Sequence, residues 1–113
     1  MKRISSKRAK ACDIPKKVKD AVWLRDGGRC IICGSMIAMP NAHYISRNDG
    51  GLGIEQNIVT LCTNFSEGRC HYRYDFGSKE ERAELGGQIK DYLLKCYPNL
   101  DESKLVYNRF AEV

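Results

Sequence analysis

Four cysteines constrain this chain more than any other feature. Cys30 and Cys33 stand two residues apart within RCIICGS, Cys62 closes the apolar run NIVTLC, and Cys70 follows after a polar segment. Two thiols flanking two isoleucines and followed by a glycine have the pattern of a tight metal-binding knuckle. Each pair sits at the edge of an apolar run, which suits a closed structural site. At 113 residues the chain fits a single domain that can bury only a limited part of its surface, so a staple is expected. Metal is favoured over disulfides because no hydrophobic signal peptide precedes the six cysteines, and a reduced, intracellular setting follows. The economical reading is one structural Zn²⁺ held by Cys30, Cys33, Cys62 and Cys70. A Cys30–Cys33 redox pair is the competing one, but no thioredoxin-like βαβ pattern surrounds it. Cys12 and Cys96 are left over and read as unpaired thiols.

Charge is uneven. Residues 1–20 carry eight Lys and Arg against Asp13 and Asp20, while the whole chain has a net charge of +5. Such a segment neutralises phosphates and steers a protein toward nucleic acid, with Lys7, Arg8, Lys16 and Lys17 as the candidate contacts; a solvated tail is the bland alternative. Residues 1–13 lack apolar periodicity and read as a basic flexible arm, with residues 14–113 forming one domain. No segment approaches the roughly 20 apolar residues of a membrane span, so a soluble, cytoplasmic protein is expected.

Pro15 stands where a helix begins, and Val18, Ala21, Val22, Trp23 and Leu24 give a short apolar stripe that Asp26-Gly27-Gly28 stops. Met36 to Ser46 reads as extended chain broken at Pro40, and Asn48-Asp49-Gly50-Gly51 as a turn. Asn57 to Cys62 reads as a second strand. A helical segment is expected over residues 70–74. Ser78 with Glu81 has capping-box spacing for a helix reaching about Tyr97, weakened at Gly86-Gly87 and ended by Pro98. A last short helix is expected from about Asp101 to Phe110. No predicted helix carries the arginine and asparagine pattern that reads base edges.

The two histidines fall on this scaffold. His43 closes the first strand within AHYISR, Asn57 opens the second after GGLGIEQ, and His71 follows Cys70 within CHYRYD. The order His43, Asn57, His71, interleaved with the four cysteines over about residues 14–77, resembles the HNH endonucleases. It is most similar to the small members found in bacteriophages and their bacterial hosts, and the tail after Gly77 resembles the C-terminal extension of that subgroup. The resemblance implies an α+β chain built on a zinc-stabilised ββα-metal core, with motif residues 29–77, a helical extension over 78–113 and a flanking N-terminal helix. It further implies that His43 is the general base, that Asn57 holds the loop and strand orienting it, and that His71 ligates a catalytic divalent ion such as Mg²⁺, Mn²⁺ or Ni²⁺. A neutral imidazole suits the first role, since it titrates near the working pH.

Two departures from the pattern stand out. Many members carry an acidic residue or a histidine just before the base, where this chain has Ala42. Asp75 is the best replacement ligand, because it lies one helical turn beyond His71; Asn41, on the strand face of His43, is the weaker candidate. The second departure is the segment Thr63 to Arg69 between Cys62 and Cys70, where two residues are common. Arg47, Arg69 and Arg73 are candidate phosphate contacts.

The function expected is a metal-dependent DNA endonuclease that nicks, leaving a 5′-phosphate and a 3′-hydroxyl. Two other readings stay open. One is a non-catalytic zinc module that binds nucleic acid, favoured by Ala42. The other is an accessory subunit of a phage packaging machine, in which Leu93, Leu94, Leu105 and Val106 would face a partner.

Overall fold

The computed structural model describes residues 6–108. Its elements are α1 (Lys7–Cys12), α2 (Lys16–Arg25), β1 (Ala38–His43), β2 (Ile58–Cys62), α3 (Cys70–Phe76) and α4 (Lys79–Cys96), with single 3₁₀ turns at Arg47–Asp49, Glu55–Asn57 and Glu102–Lys104. This is an α+β chain around a two-stranded antiparallel sheet. Among the described residues no helix is long and apolar enough to cross a membrane.

Pro15 caps α2 from outside, and the helix ends where Gly27 and Gly28 take φ of +69° and +68°, the left-handed conformation that glycine adopts without strain. In the sheet Ala38 faces Cys62, Met39 faces Leu61, Ala42 faces Val59 and His43 faces Ile58, with a register slip between Met39 and Ala42. Pro40 lies in that slip. Lacking an N–H it cannot join a ladder, so the break expected at Pro40 is an irregularity within one strand.

All five residues of β2 are buried. Ile58 packs with Val18 and Val22 of α2, while Val59 and Leu61 pack with Ile89 and Leu93 of α4. The free edge of β2 is closed by two neighbouring side chains. Arg25 donates at 2.7 Å to the carbonyls of Glu55 and Ile58, and the Asp26 carboxylate accepts the Thr60 amide at 2.9 Å. The Asp26 side chain is fully buried, and it also accepts from Arg25 Nε at 2.7 Å and the Tyr92 hydroxyl at 2.6 Å. A strand edge inside a protein needs such partners, because each buried amide or carbonyl left unpaired costs about 1–3 kcal/mol.

The structure corrects two sequence expectations. Residues 7–12 are not a flexible arm: they form α1, whose N-cap Ser6 accepts the Ala9 amide at 3.1 Å, and Cys12 at its end is only 2% exposed. What holds α1 is hydrogen bonding to the loop after β1, with Arg8 Nη2 donating to the Asn48 carbonyl at 2.8 Å. Those contacts leave no apolar stripe in the sequence to announce a helix. Residues 1–5 lie outside the described residues. At the other end, the helix expected over Asp101 to Phe110 reduces to the turn Glu102–Lys104, after which Val106 bridges to Gly51 as a short antiparallel pair. Leu105 is buried there, and Phe110 lies outside the described residues.

Candidate metal centre and nucleic-acid groove

The sulfur atoms of Cys30, Cys33, Cys62 and Cys70 all lie within 4.8 Å of one another, a group that could hold a metal ion such as zinc. Cys33 and Cys62 Sγ are 3.6 Å apart. A tetrahedral site with Zn–S bonds of about 2.3 Å has sulfurs about 3.8 Å apart, so the donor set fits. Backbone amides support it: the Cys70 N–H donates to Cys62 Sγ at 3.0 Å and the Cys33 N–H to Cys30 Sγ at 3.5 Å. Burial raises the Cys33 and Cys70 thiols above their ordinary value. Burial pushes Cys62 the same way, but the Cys70 amide and the other hydrogen bonds it accepts outweigh that and lower it.

The segment 63–69 closes on the thiols through two backbone features. Arg69 takes φ of +44°, the left-handed region rare for a non-glycine residue, and so turns the chain into α3. Gly68 lies against the sulfurs, where an added Cβ would stand 3.1 Å from Cys33 Sγ and 3.4 Å from Cys62 Sγ.

A groove of about 630 Å³ has a lining that includes His43, Tyr44, Asp75, Arg82 and Lys90. His43 ends β1 and is half-buried. Its Nε2 lies 2.8 Å from the Cys12 carbonyl, and because a carbonyl only accepts, Nε2 carries the proton. In the neutral ring Nδ1 then keeps a free lone pair. Burial lowers the His43 pKa below its ordinary 6.5, aided by the charge of Arg47 and opposed by the Cys12 carbonyl and Asp75. His71 and Asp75 share one face of α3, with Nε2 and Oδ2 3.3 Å apart.

Asn57 sits fully buried at the mouth of β2. Its Oδ1 accepts the Ile45 amide at 2.8 Å, and its Nδ2 donates to the carbonyls of Ile45 at 3.1 Å and Leu52 at 2.9 Å. One side chain thus pins both backbone groups of the residue two beyond His43. The turn it closes demands glycine at position 51, where an added Cβ would lie 1.6 Å from the Ile45 carbonyl oxygen.

The predicted phosphate contacts divide. Lys7, Lys16 and Lys17 are exposed, Lys16 pairing with Asp20 at 2.8 Å. Arg8 and Arg47 tie α1 to the His43 loop, Arg47 donating to the Cys12 carbonyl at 2.9 Å and to Asp13 at 2.8 Å. Arg73 braces α3 against α4, donating to Glu81 at 2.9 Å and to the Gly68 carbonyl at 3.2 Å. Ala42 is fully buried in the core, so its side chain does not face the groove. Leu93 and Leu105 are buried within the chain, whereas Leu94 is 36% exposed.

Sequence reasoning missed three contributions. The Cys12 carbonyl is a backbone group and leaves no side-chain signal. Arg82 and Lys90 line the groove from α4, and Gly86 and Gly87 lie between them on the same lining. The signal for that face was present as Arg82, Gly86 and Lys90 at intervals of four around a glycine pair that weakens a helix. No protein-family model, curated protein or solved structure matches the chain.

Proposed function

We propose that this chain is a metal-dependent DNA endonuclease that hydrolyses one phosphodiester bond per encounter, with His43 as the general base. The observation that carries the reading is the hydrogen bond from His43 Nε2–H to the Cys12 carbonyl, which leaves Nδ1 as the proton acceptor of a half-buried imidazole on the groove that also holds Asp75.

Asn57 keeps the His43 loop fixed through its bonds to Ile45 and Leu52. His43 Nδ1 takes a proton from the water that attacks phosphorus; the P–O bond to the 3′ oxygen breaks, and that oxygen leaves as a 3′-hydroxyl after gaining a proton from solvent. His71 and Asp75 would hold the divalent ion, their 3.3 Å separation being close to the roughly 3 Å between neighbouring ligands in an octahedral Mg²⁺ or Mn²⁺ shell. Bound there, the ion supplies positive charge to a phosphate oxygen as negative charge grows on it. Arg82, Lys90 and the exposed lysines of α1 and α2 supply backbone contacts that do not depend on sequence. The four thiols hold the structural zinc.

A zinc module that binds without cutting is the second reading, favoured by position 42: Ala42 is buried and adds no ligand to His71 and Asp75 of α3. The test is supercoiled-plasmid nicking with added Mg²⁺, Mn²⁺ or Ni²⁺, comparing wild type with His43→Ala and Asp75→Ala. Metal-dependent nicking that both substitutions abolish supports the enzyme. DNA binding by folded protein with no nicking in any ion supports the module.

A further inference from the structure

A second hollow, of about 270 Å³, adjoins the groove and is lined by Asn41, Asn64, Phe65, His71, Tyr72 and Phe76, with Thr63 at its side. Its aromatic rings are open to solvent, Phe65 at 89% and Phe76 at 72% exposure, with Tyr72 at 41%. Tyr72 and Phe76, one turn apart on α3, have ring centroids 5.2 Å apart. The Arg69 guanidinium lies over the Tyr72 ring at 4.6 Å. Phe65 and Arg69 both belong to the segment 63–69, the longer connection between Cys62 and Cys70. Asn41 also lines the hollow, and its Oδ1 is buried with no hydrogen-bond partner among the described residues.

We infer that this hollow binds an unpaired nucleobase of the strand being cut, so that the preferred substrate is DNA with a free base face: a single strand, a gap or a flap. The rings are apolar and open to solvent, as a stacking partner requires. The Arg69 cation beside the rings suits the adjoining phosphate. His71 joins the hollow to the groove, since it lines the first and pairs with Asp75 on the second. A base inside an intact duplex is stacked on both faces and cannot use such a platform without leaving the helix. The place of the base beside the scissile phosphate rests on the nuclease reading; the stacking does not.

The test uses the zinc-loaded full chain and oligonucleotides carrying 2-aminopurine, as single strand and as duplex, without added divalent ion. Wild type should bind the single strand about tenfold more tightly than the duplex and quench the 2-aminopurine. Phe65→Leu with Phe76→Leu, both at exposed positions, should keep zinc and fold while losing quench and preference. Equal binding of the two DNAs without quench overturns the inference. So does a wild-type dimer in sedimentation that the double substitution dissolves, because the rings would then be a subunit contact. Cleavage assays in parallel, on plasmid and on a labelled single strand and flap, separate the two proposals: quench without cleavage of any of these in any ion removes only the enzyme, and cleavage without quench removes only the platform.

Discussion

The carbonyl of Cys12 and Nε2 of His43 stand 2.8 Å apart, and this bond makes the N-terminal helix part of the candidate site. Arg47 donates to the same carbonyl at 2.9 Å, so the acceptor is itself held in place. Deleting residues 1–13 should therefore do more than weaken DNA binding. At saturating DNA the nicking rate should fall about 10–100-fold, the usual loss when a residue that fixes an imidazole's tautomer is removed. Single-turnover rates on zinc-loaded protein measure it; an unchanged rate at saturation would reduce α1 to an electrostatic arm.

The lowered pKa of His43 predicts a pH profile. Burial disfavours the imidazolium, so the base stays neutral and competent below pH 6.5, and the acid limb of nicking should have its midpoint under that value. Stability follows with the same sign. The unfolded chain binds the His43 proton more readily than the folded chain, so stability is complete above about pH 6.5 and declines as pH falls through the lowered folded value. A nicking midpoint at or above pH 7 would exclude His43 as a buried base.

Gly68→Ala tests the thiol cluster without touching a ligand. Its Cβ would stand 3.1 Å from Cys33 Sγ, and sulfurs gripped by an ion cannot yield the few tenths of an ångström required. Zinc affinity should fall, with about 1–3 kcal/mol lost from the folded, loaded protein. Competition with a chromogenic chelator and thermal melts would show it. Cys62→Ser should go further and leave a chain that does not fold at all, because binding energy at such a site is folding energy.

Gly87 faces open space on the α4 lining of the groove. Gly87→Ala should raise the melting midpoint, since alanine is better than glycine inside a helix by about 1 kcal/mol. Gly87→Leu should keep that fold yet weaken DNA binding several-fold by filling the groove. Equal affinity of Gly87→Leu and wild type for DNA would place the nucleic acid elsewhere.

The parts of the fold that announce themselves in the sequence are those fixed by local rules. Ser78 accepts the Glu81 amide at 3.1 Å as the capping spacing predicts, although the Glu81 carboxylate turns to Arg73 instead of completing the box. Pro15 marks the start of α2, and the apolar run before Cys62 marks β2. The four thiols are legible for the same reason, since metal-ligand chemistry restricts their spacing. Illegible were the contacts made by backbone or by charged side chains across long separations. Asp26 closing the edge of β2 looks like an ordinary turn residue, and α1 docks by guanidinium and carbonyl bonds that no periodicity reveals. Gly86 looks like a flaw in α4, and an added Cβ there would make only ordinary contact with the Tyr74 ring, at 3.4 Å. Arg73 and Arg8, read as phosphate contacts, also donate to Glu81 and to the Asn48 carbonyl within the chain.

Cys70 is the first residue of α3 and His71 the second, so one peptide bond separates a member of the thiol cluster from the partner of Asp75 on the groove. A helix turns by about 100° per residue, so a slip of a single position would swing His71 and Asp75 away from His43 together. Anchoring the first residue of α3 sets the angular register of everything the helix displays. The thiol cluster is in this sense an alignment pin, and under the proposed nuclease reading a divalent ion at His71 and Asp75 would bind only once the sulfur site is loaded.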